Sequence, residues 1–229
     1  MKPFNKICLY QLLTTIALIM FAGLKLLAAS DTTAVLRVKG DHFYPPFVFI
    51  NDKGEPDGFN VELFKKIAED LNLKYTLELG SWAEVRSELE EQKIDLLLGV
   101  LVSDSRTKEL TFGLPFSMMT FDIFAGKSAQ FKKLQDLREK KVVVQRGDYM
   151  HDYLKDSGLT KQLILANDQF EALQLIQQGL YDAAVLGSYQ AAHLINVYKL
   201  DNIKPQSADI SPVPYLWQLL KAMKSLSGN

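Results

Sequence analysis

From position 31 the chain alternates short apolar runs with stretches whose apolar residues recur every three or four positions. Ala34 to Lys39 is a short β run. Phe64, Ile67, Ala68 and Leu71 then share one helical face, with Asn60 placed to cap that helix. Leu73 to Leu79 returns as a strand. Ser81 and Glu84 fit an S-x-x-E capping box, opening a helix with Val85 and Leu89 facing inward. Ile94 to Val102 is nearly continuous in apolar residues, the mark of a strand covered on both faces. Alternation of this kind predicts the α/β class.

A similar unit recurs about ninety residues later. Asp168 and Glu171 mark a helix start, followed by Leu173, Ile176 and Leu180. Tyr181-Asp182-Ala183-Ala184-Val185-Leu186-Gly187 then matches Ile94-Asp95-Leu96-Leu97-Leu98-Gly99. An aromatic residue opens each helix (Trp82, Phe170), and an Asp starts each strand. Two lobes, each with its own β-α-β core, account for this repeat; a chance match of short strings is the competing explanation. Between the copies, Met119 to Ala125 is a candidate crossing strand. Val142, Val143 and Val144 form a buried strand. Gly147-Asp148 leads into a helix with Met150, Tyr153 and Leu154 that ends at Ser157-Gly158. Its N-terminus offers backbone N–H groups to an anionic ligand group.

The first thirty residues change the cellular picture. Lys2 and Lys6 precede a mostly apolar run from Ile7 to Leu24, and small residues Ala28, Ala29 and Ser30 fit a cleavage site before Asp31. This predicts a signal peptide over 1–30 and a periplasmic protein; an uncleaved anchor is the alternative, since the run is about one bilayer span long. The chain of 229 residues has a formal net charge of -1, and without the first thirty it carries 23 basic against 27 acidic residues. No basic patch is implied, so nucleic acid is not an expected partner. The one cysteine, Cys8, lies inside the leader, which removes disulfides, cysteine-ligated metal and thiol catalysis from the exported part. His42, His151 and His193 have no metal-ligand spacing and read as surface histidines; no metal or cofactor is expected.

Five motifs stand in a fixed order: Tyr44-Pro45-Pro46-Phe47; Gly58-Phe59-Asn60-Val61; Gly99 with Ser103-Asp104-Ser105-Arg106 ahead of Pro115-Phe116-Ser117; Val142-Val143-Val144-Gln145-Arg146-Gly147; and Leu175 to Ala183, L-I-Q-Q-G-L-Y-D-A. Together they resemble the bacterial extracellular solute-binding proteins of the polar amino-acid type over roughly residues 35 to 210. Val144 to Leu154 is most similar to a branch serving as periplasmic sensor domains of signalling proteins.

The resemblance implies a two-lobed periplasmic binding protein of type II, a Venus flytrap. Lobe 1 would span 31–118, lobe 2 119–208, and a second crossing with the tail 209–229. It implies closure on a small polar solute, an amino acid or related carboxylate, without catalysis. An inner-membrane ABC transporter or a sensor kinase would read the closed form, and the protein would be a monomer. Arg106 takes the place of the arginine that clamps the ligand carboxylate, although pairing with Asp104 would also explain it. Tyr44 takes the place of the aromatic wall. Trp82 fits a second wall or a core position. Asp41 fits a ligand cation or a turn cap. Gly147 and Asp148 stand where the second lobe's backbone meets the ligand, with Asp148 equally suited to a helix cap.

Two departures qualify the resemblance. The acid that binds an α-ammonium, just past the D-A strand, is replaced by Gly187 or Ser188, so a ligand without an amine is open. The tail after Tyr215 also leaves the family pattern, as a truncating frameshift would produce. The competing readings are a dehydratase-like enzyme of the same fold and a non-functional remnant.

Overall fold

The computed structural model describes residues 35–102, 111–160 and 162–219. The leader, the loop with Arg106 and the last ten residues lie outside the described residues. The first half carries β1 (Leu36–Asp41), β2 (Phe43–Tyr44), β3 (Val48–Ile50), β4 (Pro56–Asp57), α1 (Phe59–Asp70), β5 (Tyr75–Gly80), α2 (Trp82–Glu90), β6 (Leu96–Leu101), β7 (Thr111–Phe112) and β8 (Ser117–Met119). The second carries β9 (Phe121–Gly126), β10 (Lys141–Gln145), α3 (Tyr149–Ser157), β11 (Gln162–Ala166), α4 (Gln169–Gln177), β12 (Ala183–Gly187), α5 (Ser188–Tyr198), β13 (Ile203–Ser207) and β14 (Val213–Leu219).

The α/β class is confirmed, and the two halves build related sheets. One runs β5-β1-β6-β14-β7 with β8 also on β14; the other runs β11-β10-β12-β9-β13. In each, three parallel strands are completed by an antiparallel one reached by a crossover: β14 beside β6, and β9 beside β12. The small β2-β3-β4 sheet sits apart.

The repeated aspartates have a shared physical role. Asp95 accepts from the Arg37 backbone N–H at 2.9 Å, and Asp182 accepts from that of Lys141 at 2.8 Å. Each carboxylate therefore pins its strand against the start of the neighbouring parallel strand. Central strands are buried on both faces, as their apolar runs predict. Val142, Val144, Ala183 and Val185 join one core cluster, while Val143, Ala184 and Leu186 join the other.

Two predicted caps are corrected. Asn60 does not begin α1; it lies inside it, fully buried, donating to the Tyr215 hydroxyl at 2.8 Å. The helix starts instead at Gly58, φ 108°, where a Cβ would meet the Phe47 carbonyl oxygen at 2.6 Å. The carbonyls of Pro46 and Phe47 accept from the N–H groups of Phe59 and Asn60, so backbone from the Y-P-P-F turn does the work of a side-chain cap. Ser81 is the N-cap of α2 but makes no capping bond, because its hydroxyl donates to the Glu84 carboxylate. Asp168 does cap α4, accepting from the Glu171 N–H at 2.8 Å. Leu71 and Leu180, expected on buried faces, are exposed.

β6 is bulged. Leu216 pairs with Val100 and Gln218 with Leu97, so one strand spends an extra residue. Gly99 absorbs it at φ 85°, and a Cβ there would run into the Tyr215 hydroxyl and the Asn60 amide. Gly99→Ala is expected to lower stability by roughly 2 kcal/mol or more in denaturant unfolding, from left-handed strain plus the clash. Adding Tyr215→Phe should recover only a part of the steric cost, because the ring carbon Cζ and the Asn60 amide nitrogen would still lie 2.7 Å from that Cβ.

Candidate functional site

The parallel strands of both sheets end at one cavity, as ligand sites in open α/β sheets do. Asp41 is the last residue of β1, Gln145 the last of β10, and Asp148 directly precedes α3. Leu98, Gly99 and Leu101 come from the bulged end of β6, Trp82 from the start of α2, and Tyr44 and Tyr215 from β2 and β14; Val48 completes the lining. The space these residues leave is narrow, about 20 Å³, room for little more than one water molecule.

Two carboxylates face this space. Asp41 is 4% exposed and Asp148 5%. Asp41 accepts from the Phe43 N–H at 2.9 Å, and from the Gln145 amide across the cleft at 3.1 Å. It is therefore both a turn cap and a cavity residue. Burial pushes its pKa up to about 6, outweighing those hydrogen bonds and nearby His42, with the charge of Asp148 adding to the rise. Burial and the same carboxylates also raise the Tyr44 and Tyr215 hydroxyls. Asp148 holds the N-cap position of α3 without making a side-chain capping bond.

The backbone here is already engaged. The Gly147 N–H donates to His151 Nδ1 at 3.1 Å, and the Asp148 N–H to the Gln145 carbonyl at 3.2 Å. His151 is thus a half-buried turn partner rather than a surface histidine. The Gly147 carbonyl accepts from Trp82 Nε1 at 2.8 Å and Arg86 Nη1 at 2.7 Å, and Arg86 also reaches Asp152 at 3.1 Å. Phe43 and Phe170 add a ring contact at 6.1 Å. These bonds tie α2 and the β1–β2 region to the second sheet. Among the described residues no group of three or more His, Cys, Asp or Glu side chains is placed to hold a metal.

The profile of the bacterial extracellular solute-binding proteins, family 3, matches residues 36–194. The amino-acid-binding protein AabA of Dichelobacter nodosus is 30% identical over 88% of this chain and 79% of its own. The L-cystine-binding protein TcyJ of Escherichia coli K12 is 25% identical over 80% and 73%. A crystal structure of a histidine kinase sensor domain with similarity to periplasmic binding proteins superposes with a TM-score of 0.80 at 33% identity, over 84% of this chain and 85% of that one. An ancestral arginine-binding protein bound to glutamine gives 0.75 at 27% over 84% and 86%. This chain belongs to the bacterial extracellular solute-binding proteins, family 3.

Its fold is the two-lobed one of these structures, and its matched relatives are solute-binding proteins rather than enzymes. Gly187, one of the two positions expected in the place of an ammonium-binding acid, is the last residue of β12. A Cβ there would fall on the buried Gln190 carboxamide, whose Cδ is 3.1 Å away, with the Tyr44 hydroxyl 3.4 Å off.

Of the residues singled out from sequence, Asp41, Tyr44, Trp82 and Asp148 line one cavity, and Gly147 adjoins it through its carbonyl. Arg106 lies outside the described residues. Sequence reasoning did not single out Gln145, Tyr215 and Arg86 as site residues. Gln145 sits inside a quoted motif. Tyr215 and Arg86 reach the cleft only through long-range packing, which no local pattern encodes.

The raised pKa of Asp41 fixes a sign. Its neutral form suits the folded protein, so its contribution is complete below the ordinary value of 3.8 and is lost as pH rises through about 6. In denaturant unfolding without ligand, wild type should lose about 2–3 kcal/mol relative to Asp41→Asn between those pH values and no more above them. A gap independent of pH would show that Asp41 ionises normally.

Proposed function

We propose that this chain is a periplasmic receptor that closes on a small polar solute, an amino acid or a related molecule. An inner-membrane ABC transporter or a sensor kinase reads the closed form. The observation that carries this reading is the cavity itself: it is lined from both sheets and bridged by Trp82 and Arg86, which both donate to the Gly147 carbonyl in the turn after β10. A solute larger than the present space enters only if those bonds open, and re-forming them around it supplies the differential affinity that drives closure. In this reading residues 31–118, completed by β14, move against 119–208, after export directed by residues 1–30. Arg106 holds a ligand carboxylate, Tyr44 and Trp82 form its walls, and the family relatives support the solute-binding role.

The test is a thermal-shift screen of the purified protein against amino acids, small carboxylates and amines, with small-angle scattering on each hit. At least one compound should raise the melting temperature saturably and compact the protein. Arg106→Ala should weaken a carboxylate-bearing ligand about a hundredfold. Arg86→Ala, which removes the bonds to the Gly147 carbonyl and Asp152 together with an exposed pair to Glu90, should weaken any ligand about tenfold, close to 1.4 kcal/mol. A cooperative melt with no response to any compound would defeat the receptor reading.

A further inference from the structure

We infer that the second sheet offers the solute a neutral polar pocket, formed by Gln169 and Gln190 with Ser188 beside them. The pocket takes an uncharged hydrogen-bonding group, a hydroxyl or a primary carboxamide, and the Tyr44 hydroxyl holds that place in this structure. The inference rests on the receptor reading above and adds the chemical class of one group of the solute.

Tyr44 comes from β2 in the first half of the chain, yet its hydroxyl lies against the second half. It is 3.4 Å from the point where a Gly187 Cβ would stand, and the Gln190 carboxamide already enters that point. Gln169, the first residue of α4, lies beside the same hydroxyl: burial raises the Tyr44 pKa, and the Gln169 carboxamide works against that rise. Ser188 follows Gly187 and opens α5, which starts without a side-chain cap. A side chain from the other half thus reaches in at the end of β12, beside the heads of α4 and α5.

The polar atoms in this place are unspent. Gln169 and Gln190 are each 1% exposed. Neither atom of the Gln169 carboxamide reaches a partner at hydrogen-bond length among the described residues. The same holds for the Gln190 carbonyl oxygen and the Ser188 hydroxyl. The Gln190 NH2 donates to the Met119 sulfur at 3.8 Å, a weak acceptor. Buried polar groups in folded proteins are nearly always paired, so these open atoms point to a guest that pairs them.

The atom types set the chemistry of that guest. The Gln169 NH2 calls for an acceptor, and the two carboxamide oxygens call for a donor. A hydroxyl or a carboxamide supplies both. An ammonium supplies donors alone and leaves the NH2 stranded. A carboxylate supplies acceptors alone, and the charges of Asp148 and Asp41, which reach the Tyr44 hydroxyl, oppose it. Asp168, the acid next to Gln169, is committed to the Glu171 N–H. Tyr44 is itself a hydroxyl, so the pocket already receives a group of the class it would select.

The test is calorimetric titration of the purified protein with three matched pairs: lactate and alanine, malate and aspartate, glutamine and ornithine. In at least one pair the hydroxyl or carboxamide member should bind about tenfold more tightly, or better, than its ammonium counterpart. Gln190→Glu should cancel that preference, since the new carboxylate offers acceptors alone; where it fails to fold, Ser188→Asp serves the same end. Tyr44→Phe, which keeps the ring and vacates the place, should tighten the preferred member about threefold. A hydroxyl with a purely structural role would give no such gain. If the ammonium members bind as tightly as their counterparts, or Tyr44→Phe weakens the preferred member, the pocket does not take a neutral group although the receptor reading stands. If none of the six solutes binds, this inference falls, while the receptor reading still rests on the wider screen above.

Discussion

The return of Val213–Leu219 to the first sheet is the constraint on which the cleft depends. Without β14, the strand β6 would be an edge, β7 and β8 would have no partner, and the bulge at Gly99 would have nothing opposite it. The same strand delivers Tyr215 to the cavity, where Asn60 fixes its hydroxyl from below. Its neighbour Trp217 packs edge-on against Phe64 and Phe116. A residue 155 positions from its partner thus sets the cleft floor. The glycine at 99 is required because a hydroxyl occupies the volume of its missing side chain.

Much of this was legible in the sequence because the signals are local. The apolar runs at 94–102 and 142–144 are buried strands, since a strand covered on both faces cannot alternate. The repeated aspartates at 95 and 182 marked equivalent places, and their common bond to the adjacent strand explains why the repeat exists. The cap at Asn60 was misread because the real cap is backbone supplied from the Y-P-P-F turn, a tertiary contact with no local trace. Gly147 and Asp148 were placed near the ligand by the helix start and by the family motif. That the N–H groups of these two residues go to His151 and Gln145 is visible only once the residues are placed in space.

The space beside Gly187 belongs to Gln190, whose carboxamide lies where a Cβ would fall, close to the Tyr44 hydroxyl. Asp148 stands buried at the start of α3, where the helix dipole favours a carboxylate and burial works against its charge. The second sheet therefore meets the cavity with a neutral carboxamide, Gln145, beside an acid at a helix start.

In the proposed reading closure is carried by a small set of bonds. The Gly147 carbonyl accepts from Trp82 and Arg86, Arg86 also meets Asp152, and Gln145 donates to Asp41. Each contributes about 0.5–3 kcal/mol. A solute that parts the two sheets must replace these bonds with contacts of its own, and one that lets them re-form around it favours the closed form by its differential affinity.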